Sequence, residues 1–306
     1  MSTHLFSARD MTCTVPSQDG EKTIFQGLSF DIDAGEIVDL VGPSGTGKSS
    51  LLTAFARLNP HAGGTMFLDG RPSTEFTPQQ WRCSVAYLPQ KPVLIGDNVA
   101  EVIRLPWTLA IRNEQDDSSS DTNHPADPQA HARTRGKRHR SGIWGAVHNG
   151  VDMLPDDKIR ATLDAIGCED INLGRAPHDL SGGQAARVSL ARTLLTDPKL
   201  LLADEVDAGL DDDNAAKVAA ILSDAAQRGM AVIRIRHRPP DGVATRTVTL
   251  DEGGLRLTRS IWLRHGPLSR GTHPTSLKPW HKQPRRRHRA PPTPSTSGAC
   301  SSHSRW

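Results

Sequence analysis

Residues 42–50 read Gly42-Pro43-Ser44-Gly45-Thr46-Gly47-Lys48-Ser49-Ser50, and the first eight fit the spacing G-x-x-x-x-G-K-[ST]. That spacing suits the phosphates of a nucleotide. Gly42, Gly45 and Gly47 let the backbone turn tightly and aim its N–H groups at oxygen anions. Lys48 offers a point charge to β- and γ-phosphates, and the Ser49 hydroxyl can ligate Mg²⁺. Residues 42–50 are therefore the candidate nucleotide-binding loop.

A chance Gly-rich turn would lack the flanks found here. Glu36-Ile-Val-Asp-Leu-Val41 is a short apolar strand candidate, and residues 50–56 begin a helix. The helix N-terminus adds its own affinity for anions. Downstream, residues 199–205 read Lys-Leu-Leu-Leu-Ala-Asp-Glu, an apolar run suited to a parallel strand covered on both faces. Asp204 at its end can hold Mg²⁺ through the water shell of the ion, and Glu205 is placed to take a proton from an attacking water. Alone, such a strand end would be weak evidence. After a phosphate loop it becomes a second anchor.

On these residues the chain resembles the ATP-binding subunit of ABC transporters, from about residue 5 to about residue 257 with one interruption. Residues 42–49 match the Walker A motif of that family and residues 199–205 its Walker B motif. Leu180-Ser181-Gly182-Gly183-Gln184 matches the signature motif, Ala208-Gly209-Leu210-Asp211 the D-loop, and Tyr87-Leu88-Pro89-Gln90 the Q-loop. His237, just after the strand candidate 231–235, falls where the family has its switch histidine. A narrower similarity, at residues 95–99 and 105–112, is to the ATPases of small two-component exporters implicated in iron efflux.

The resemblance implies an ATPase that uses ATP and Mg²⁺. Glu205, His237 and Gln90 would be its catalytic residues, with Ser49, Asp204 and Gln90 at the metal. It implies a homodimer closing head to tail, in which Ser181, Gly182, Gly183, Gln184 and Asp211 complete the nucleotide site of the other copy. It further implies a separately encoded multi-span permease and a place at the cytoplasmic face of the membrane, with no specific nucleic-acid partner. The alternative function is a soluble ABC-type ATPase with a regulatory or nucleic-acid-associated role.

Several positions depart from the family pattern. Val15 stands where an aromatic side chain usually stacks on adenine, and a valine can cover a base but not stack on it. Asp39 interrupts the first core strand. A buried unpaired carboxylate is costly, so Asp39 needs a partner or a place at the sheet edge. Arg234 and Arg236 flank Ile235 and should share one face of their strand. Ala185 replaces a polar residue after the signature motif.

Positioning these groups requires an α/β fold of the phosphate-loop NTPase type. We expect a mixed central sheet, an antiparallel β region from about 5–15, 28–32 and 65–68, and a helical subdomain over about 98–191. The expected ATPase domain spans residues 1–257. Residues 113–155 interrupt it between a helix ending near Arg112 and one over about 156–166. That stretch is acidic, then basic, and nearly free of large apolar residues before Ile143-Trp144, so it is read as a disordered, solvated insertion. Its His124, His131, His139 and His148 fit no usual metal spacing.

Residues 258–306 are read as a disordered basic tail. Residues 255–306 hold 11 Lys/Arg and no Asp/Glu, leaving 26 of the 37 basic residues against all 34 acidic ones elsewhere, a net of −8. The overall +3 thus describes the tail. The four cysteines, at 13, 83, 168 and 300, have no CxxC spacing and read as reduced thiols. The N-terminus lacks the pattern of a signal peptide, and no run approaches the ~20 apolar residues that cross a bilayer.

Overall fold

The computed structural model describes residues 4–17, 20–109, 154–251 and 254–258. Most of the expected insertion, with its four histidines and its basic run, lies outside them, as does the tail beyond residue 258.

Two sheets organise these residues. The first is antiparallel, in the order β2-β1-β4-β5, from β1 (Phe6–Ser17), β2 (Gly20–Ile32), β4 (Ala62–Leu68) and β5 (Arg71–Pro72). β1 alternates buried and partly exposed residues, as a strand with one face on a core must. The second sheet has the order β10-β9-β3-β8-β7-β6, from β3 (Ile37–Val41), β6 (Val85–Leu88), β7 (Leu200–Asp204), β8 (Ala231–Ile235), β9 (Arg246–Asp251) and β10 (Gly254–Thr258). Its neighbours pair in parallel from β9 through β3, β8 and β7 to β6, and only β10 runs antiparallel. Every residue of β7 and β8 is buried, because helices cover both faces of this sheet. The mixed sheet and the antiparallel region are the ones expected.

The helices are α1 (Lys48–Phe55), α2 (Pro78–Ser84), α3 (Val99–Arg104), α4 (Asp156–Ala165), α5 (Gly182–Leu195) and α6 (Asp212–Gln227). α1 and the antiparallel sheet enclose an aromatic core. Phe6 meets Phe55 edge-on with centroids 5.0 Å apart, and the Trp81 indole N–H donates to the Phe55 carbonyl at 2.8 Å. On the other face of the central sheet, Val218 and Leu222 of α6 pack on Leu201 and Val232. A third core joins α3, α4 and α5 through Val102, Ile103, Leu163 and Val188. This is the expected helical region, with one difference. The helix end expected near Arg112 lies outside the described residues, and within them α3 stops at Arg104, where Pro106 turns the chain into a 3₁₀ segment, Leu105–Thr108.

The order of the strands prepares the site. β3, β8, β7 and β6 lie side by side, point the same way, and release residues 42–47, His237, Glu205 and Gln90 from their C-terminal ends. In an open parallel sheet this edge is where ligands bind.

Candidate functional site

The phosphate loop follows β3 as a tight arch. Gly42 has φ 147°, and a Cβ there would sit 2.1 Å from the Leu250 carbonyl oxygen. Gly47, the N-cap of α1, is left-handed at φ 93°, and a Cβ there would sit 2.4 Å from Ile24 Cγ2. Only glycine fits both places. No side chain caps α1, so its first N–H groups stay available to an anion. The Thr46 hydroxyl donates to the Pro43 carbonyl at 3.0 Å and tightens the arch. Lys48 is buried, its ammonium donating to the carbonyls of Gly42 at 2.9 Å and Pro43 at 2.8 Å. Burial lowers the pKa of that ammonium and outweighs the opposing pull of Glu205 and Asp204.

Glu205 is the hub of the opposite wall. Its Oε2 accepts from Gln90 Nε2 at 2.7 Å and its Oε1 lies 2.8 Å from His237 Nε2. Its backbone is left-handed at φ 53°, a conformation that non-glycine residues adopt only where the surroundings enforce it. Next to it, Asp204 Oδ2 accepts the Tyr87 hydroxyl at 3.0 Å. Burial and the neighbouring Asp204 raise the Tyr87 pKa, which keeps that hydroxyl protonated and donating.

Two clefts open here. One, of about 270 Å³, is lined by residues that include Gly47, Lys48, Ser49, Ser50, Glu205 and His237. The other, of about 750 Å³, runs from Pro43–Thr46 to Lys22, Thr23, Asp251 and Arg256. Both share Ile24, Ser44 and Gly45. Together they offer a polar end for phosphates and a broader end for a nucleoside. The oxygens of Ser49 and Asp204 and the Gln90 amide are hard donors, too few to cage a metal alone. Among the described residues no cluster of three or more His, Cys, Asp or Glu could do so. Oxygen donors of this kind suit a hard cation such as Mg²⁺, which keeps several waters and is bound through one or two carboxylates and a substrate's phosphates.

Other expected residues lie apart from this cleft. None of Ser181, Gly182, Gly183, Gln184 or Asp211 lines either opening. Ser181 is the N-cap of α5. Its Oγ accepts the Gln184 N–H at 3.2 Å, and Gln184 Oε1 accepts the Ser181 N–H at 3.0 Å. The Gln184 amide also donates to Asp170 at 2.8 Å, so both ends of that side chain are engaged in shaping the helix start. Asp211 caps α6 by accepting the Asn214 backbone N–H at 2.8 Å, and that bond lowers its carboxyl pKa. Val15 pairs with Lys22 across the β1–β2 ladder and packs on the first core rather than lining the cleft.

Three findings go beyond the sequence reading. Tyr87 belongs to the quoted Q-loop string, yet its tie to Asp204 spans 117 residues and has no local signal. Ile24 and Lys22 line the broad cleft, and the Asp19-Gly20 pair, a common hairpin signal, could have placed them beside Val15. Asp39 has its partner and is not at an edge. It lies on β3 in the middle of the sheet, in register with Arg234 of β8 and 2.7 Å from that guanidinium. Arg236 reaches the same carboxylate at 3.6 Å, so both arginines do share a face.

Comparison with known proteins agrees with this architecture. The model of the family described as "ABC transporter" matches residues 25–208. The chain belongs to that family, and it carries an ATP-hydrolysing domain. The multidrug resistance protein pgp-1 of Caenorhabditis elegans is 32% identical over 218 residues, 71% of this chain and 14% of that protein. The ABC multidrug transporter mdr1 of Aspergillus fumigatus is 30% identical over 230 residues, 75% of this chain and again 14% of the relative. The chain thus spans about a seventh of the length of these curated relatives. Among solved structures, the dimeric ATP-binding cassette MJ0796 bound to ADP and Pi superposes with a TM-score of 0.60 at 21% identity, covering 84% of this chain and 100% of that one. A bacterial Atm1-family ABC exporter with ATP bound gives 0.58 at 22%, covering 84% and 39%. Among the described residues no helix is long and apolar enough to cross a membrane.

Proposed function

We propose that the chain powers an ABC transporter by binding ATP between two copies of itself and hydrolysing it there. The observation that carries this reading is the Glu205–His237 pair sharing one cleft with Lys48, with Gln90 bonded to Glu205 at 2.7 Å. In this reading Lys48 and the N–H groups of residues 42–50 hold the phosphates, while Ser49 and Asp204, with Gln90 beside them, hold Mg²⁺. Bound there, the ion would supply positive charge against the transferred phosphoryl group. Glu205 accepts the proton of the attacking water, His237 orients Glu205 and meets the γ-phosphate, and Gln90 reports the state of the site to its surroundings. Ser181 and the N–H groups of Gly182 and Gly183 complete the cage from the second copy, and closure excludes water.

We further propose that the membrane-spanning part is a separate permease, which places this chain at the cytoplasmic face of a membrane. A groove of about 360 Å³, lined by Leu58, Cys83, Tyr87, Leu109 and Arg192 among others, supports a docking site close to Gln90. Burial pulls the Arg192 pKa down, and its guanidinium donates to the Val93 carbonyl at 3.2 Å and the Ser189 hydroxyl at 3.3 Å. Iron or another metal as cargo rests on the similarity at residues 95–99 and 105–112 alone. The test of the whole reading is the ATPase rate of Glu205→Gln beside ATP binding. Lost turnover with retained binding supports it, and normal turnover refutes it.

A further inference from the structure

Behind the cleft, a chain of buried charges joins three of the strand ends that build it. Arg234 Nε donates to Asp39 Oδ1 at 2.8 Å, and its two Nη groups donate to the Asp241 carboxylate at 3.0 and 3.2 Å. Arg236 Nε donates to Asp207 Oδ2 at 2.9 Å, and its Nη1 lies 2.7 Å from Asp241 Oδ2. The two arginine side chains are 3% and 5% exposed. Asp39, Asp207 and the two guanidiniums are thus withdrawn from water, while Asp241 closes the chain at the surface with its side chain 20% exposed. Burial is the largest influence on Asp39 and raises its pKa even against both arginines.

Stability alone is a poor account of such a cluster. Buried ion pairs can often be replaced by apolar residues with little loss, whereas removing one partner is costly. Position offers a better account. Two short segments, 205–207 and 235–237, are joined by three links. Glu205 Oε1 meets His237 at 2.8 Å, the Glu205 N–H donates to the Ile235 carbonyl at 3.2 Å, and Asp207 holds Arg236 at 2.9 Å. The Ala208 N–H closes the turn on the Glu205 carbonyl at 3.0 Å. Glu205 needs such restraint, because its left-handed backbone persists only when its surroundings over-determine it. Asp39 carries the same charge chain to β3, three residues before Gly42.

We propose that Arg236 is a positioning residue. Its clasp on Asp207 and Asp241 holds the Glu205–His237 pair in register and sets the rate of turnover without setting nucleotide affinity. The inference rests on the proposed role of Glu205 in activating water.

The test uses the full chain with Asp207→Leu and Arg236→Met together, which leaves neither partner of that pair as an orphaned charge. The double variant is expected to unfold cooperatively and to bind ATP within about threefold of the parent, with kcat at least about tenfold lower. Amide exchange at Glu205 and Ala208 should quicken at least about tenfold, while Leu202 and Ile233, inside the strands, keep their protection. Arg236→Lys, which keeps the charge but not the two-pronged reach, should show the same pattern in smaller measure. A folded double variant with parental kcat and parental exchange at Glu205 would overturn the proposal, as would an ATP affinity that falls in step with kcat. Should the double variant fail to fold, the same readings on Arg236→Lys decide. Glu205→Gln run alongside keeps the failures apart. If it retains full turnover, the reading of Glu205 falls and the clasp with it. If it is inactive while the folded double variant is normal, only the clasp falls.

Discussion

The Lys48 cleft and the start of α5 both present backbone N–H groups to an anion, but only one of them is furnished. Around Lys48 the ends of four parallel strands bring Gln90 and His237 onto Glu205 at 2.7 and 2.8 Å, and next to Glu205 the Asp204 carboxylate is held by Tyr87 at 3.0 Å. At α5 the side chains of Ser181 and Gln184 serve the cap, two glycines follow Ser181, and the one carboxylate bonded to Gln184, Asp170, is itself engaged in shaping the helix start. The first region has the chemistry of hydrolysis and the second only a shaped donor surface. Two such regions in one chain make sense as complementary halves, each completed by the other half of a second copy.

The contrast can be broken first at its furnished side. Glu205→Gln should lower turnover by at least about 10²-fold, the scale of a lost general base, with ATP still bound. Steady-state ATPase assays with a parallel binding titration check this. At the other side, Ser181→Ala removes the cap and should cost about 1 kcal/mol of stability. If α5 acts only on a partner's nucleotide, the same change should leave ATP affinity of the monomer untouched while turnover drops about tenfold. A weakened monomer affinity in calorimetry would mean that Ser181 serves the site of its own chain.

How much of this was legible follows from distance along the chain. The phosphate loop and the Asp204-Glu205 strand end are local patterns, and both stand where their spacing put them. Both capping boxes, Ser181 with Gln184 at α5 and Thr77 with Gln80 at α2, are local signals that the sequence reading did not use, and α2, with Pro78 at its first turn, was passed over altogether. Asp39 was legible only as a problem. Its answer, Arg234, is 195 residues away and required the order of the sheet. Helix ends were read less well than helix existence, since Pro106 stops α3 before the apolar pattern fades.

The nucleoside end sharpens the comparison further. Val15 packs beside Lys22 without lining the cleft, and among the described residues no aromatic side chain lines it. Val15→Tyr should extend across Lys22 and tighten ATP binding by about 0.5–1.5 kcal/mol, as an aromatic contact does. An unchanged dissociation constant would assign the base to Ile24 and its neighbours instead. The smallest effect concerns acid. Burial pushes the Asp241 carboxyl up, but the hydrogen bonds and charge of Arg234, helped by Arg236, prevail and hold it below 3.8. Its contribution to stability is therefore present above that value and is lost as pH falls through the lower folded value. Asp241→Asn should flatten the acid limb of the melting curve below about pH 4 and leave neutral-pH dependence alone.

The central claim is that the cleft is completed by a second copy of this chain. The most direct measurement is the sedimentation mass of the Glu205→Gln full chain with and without saturating ATP. The account predicts a monomer without nucleotide and a dimer with it, and no dimer when Gly182→Trp blocks the start of α5. A mass that ignores ATP, or an ATP-induced dimer that tolerates the tryptophan, would contradict it.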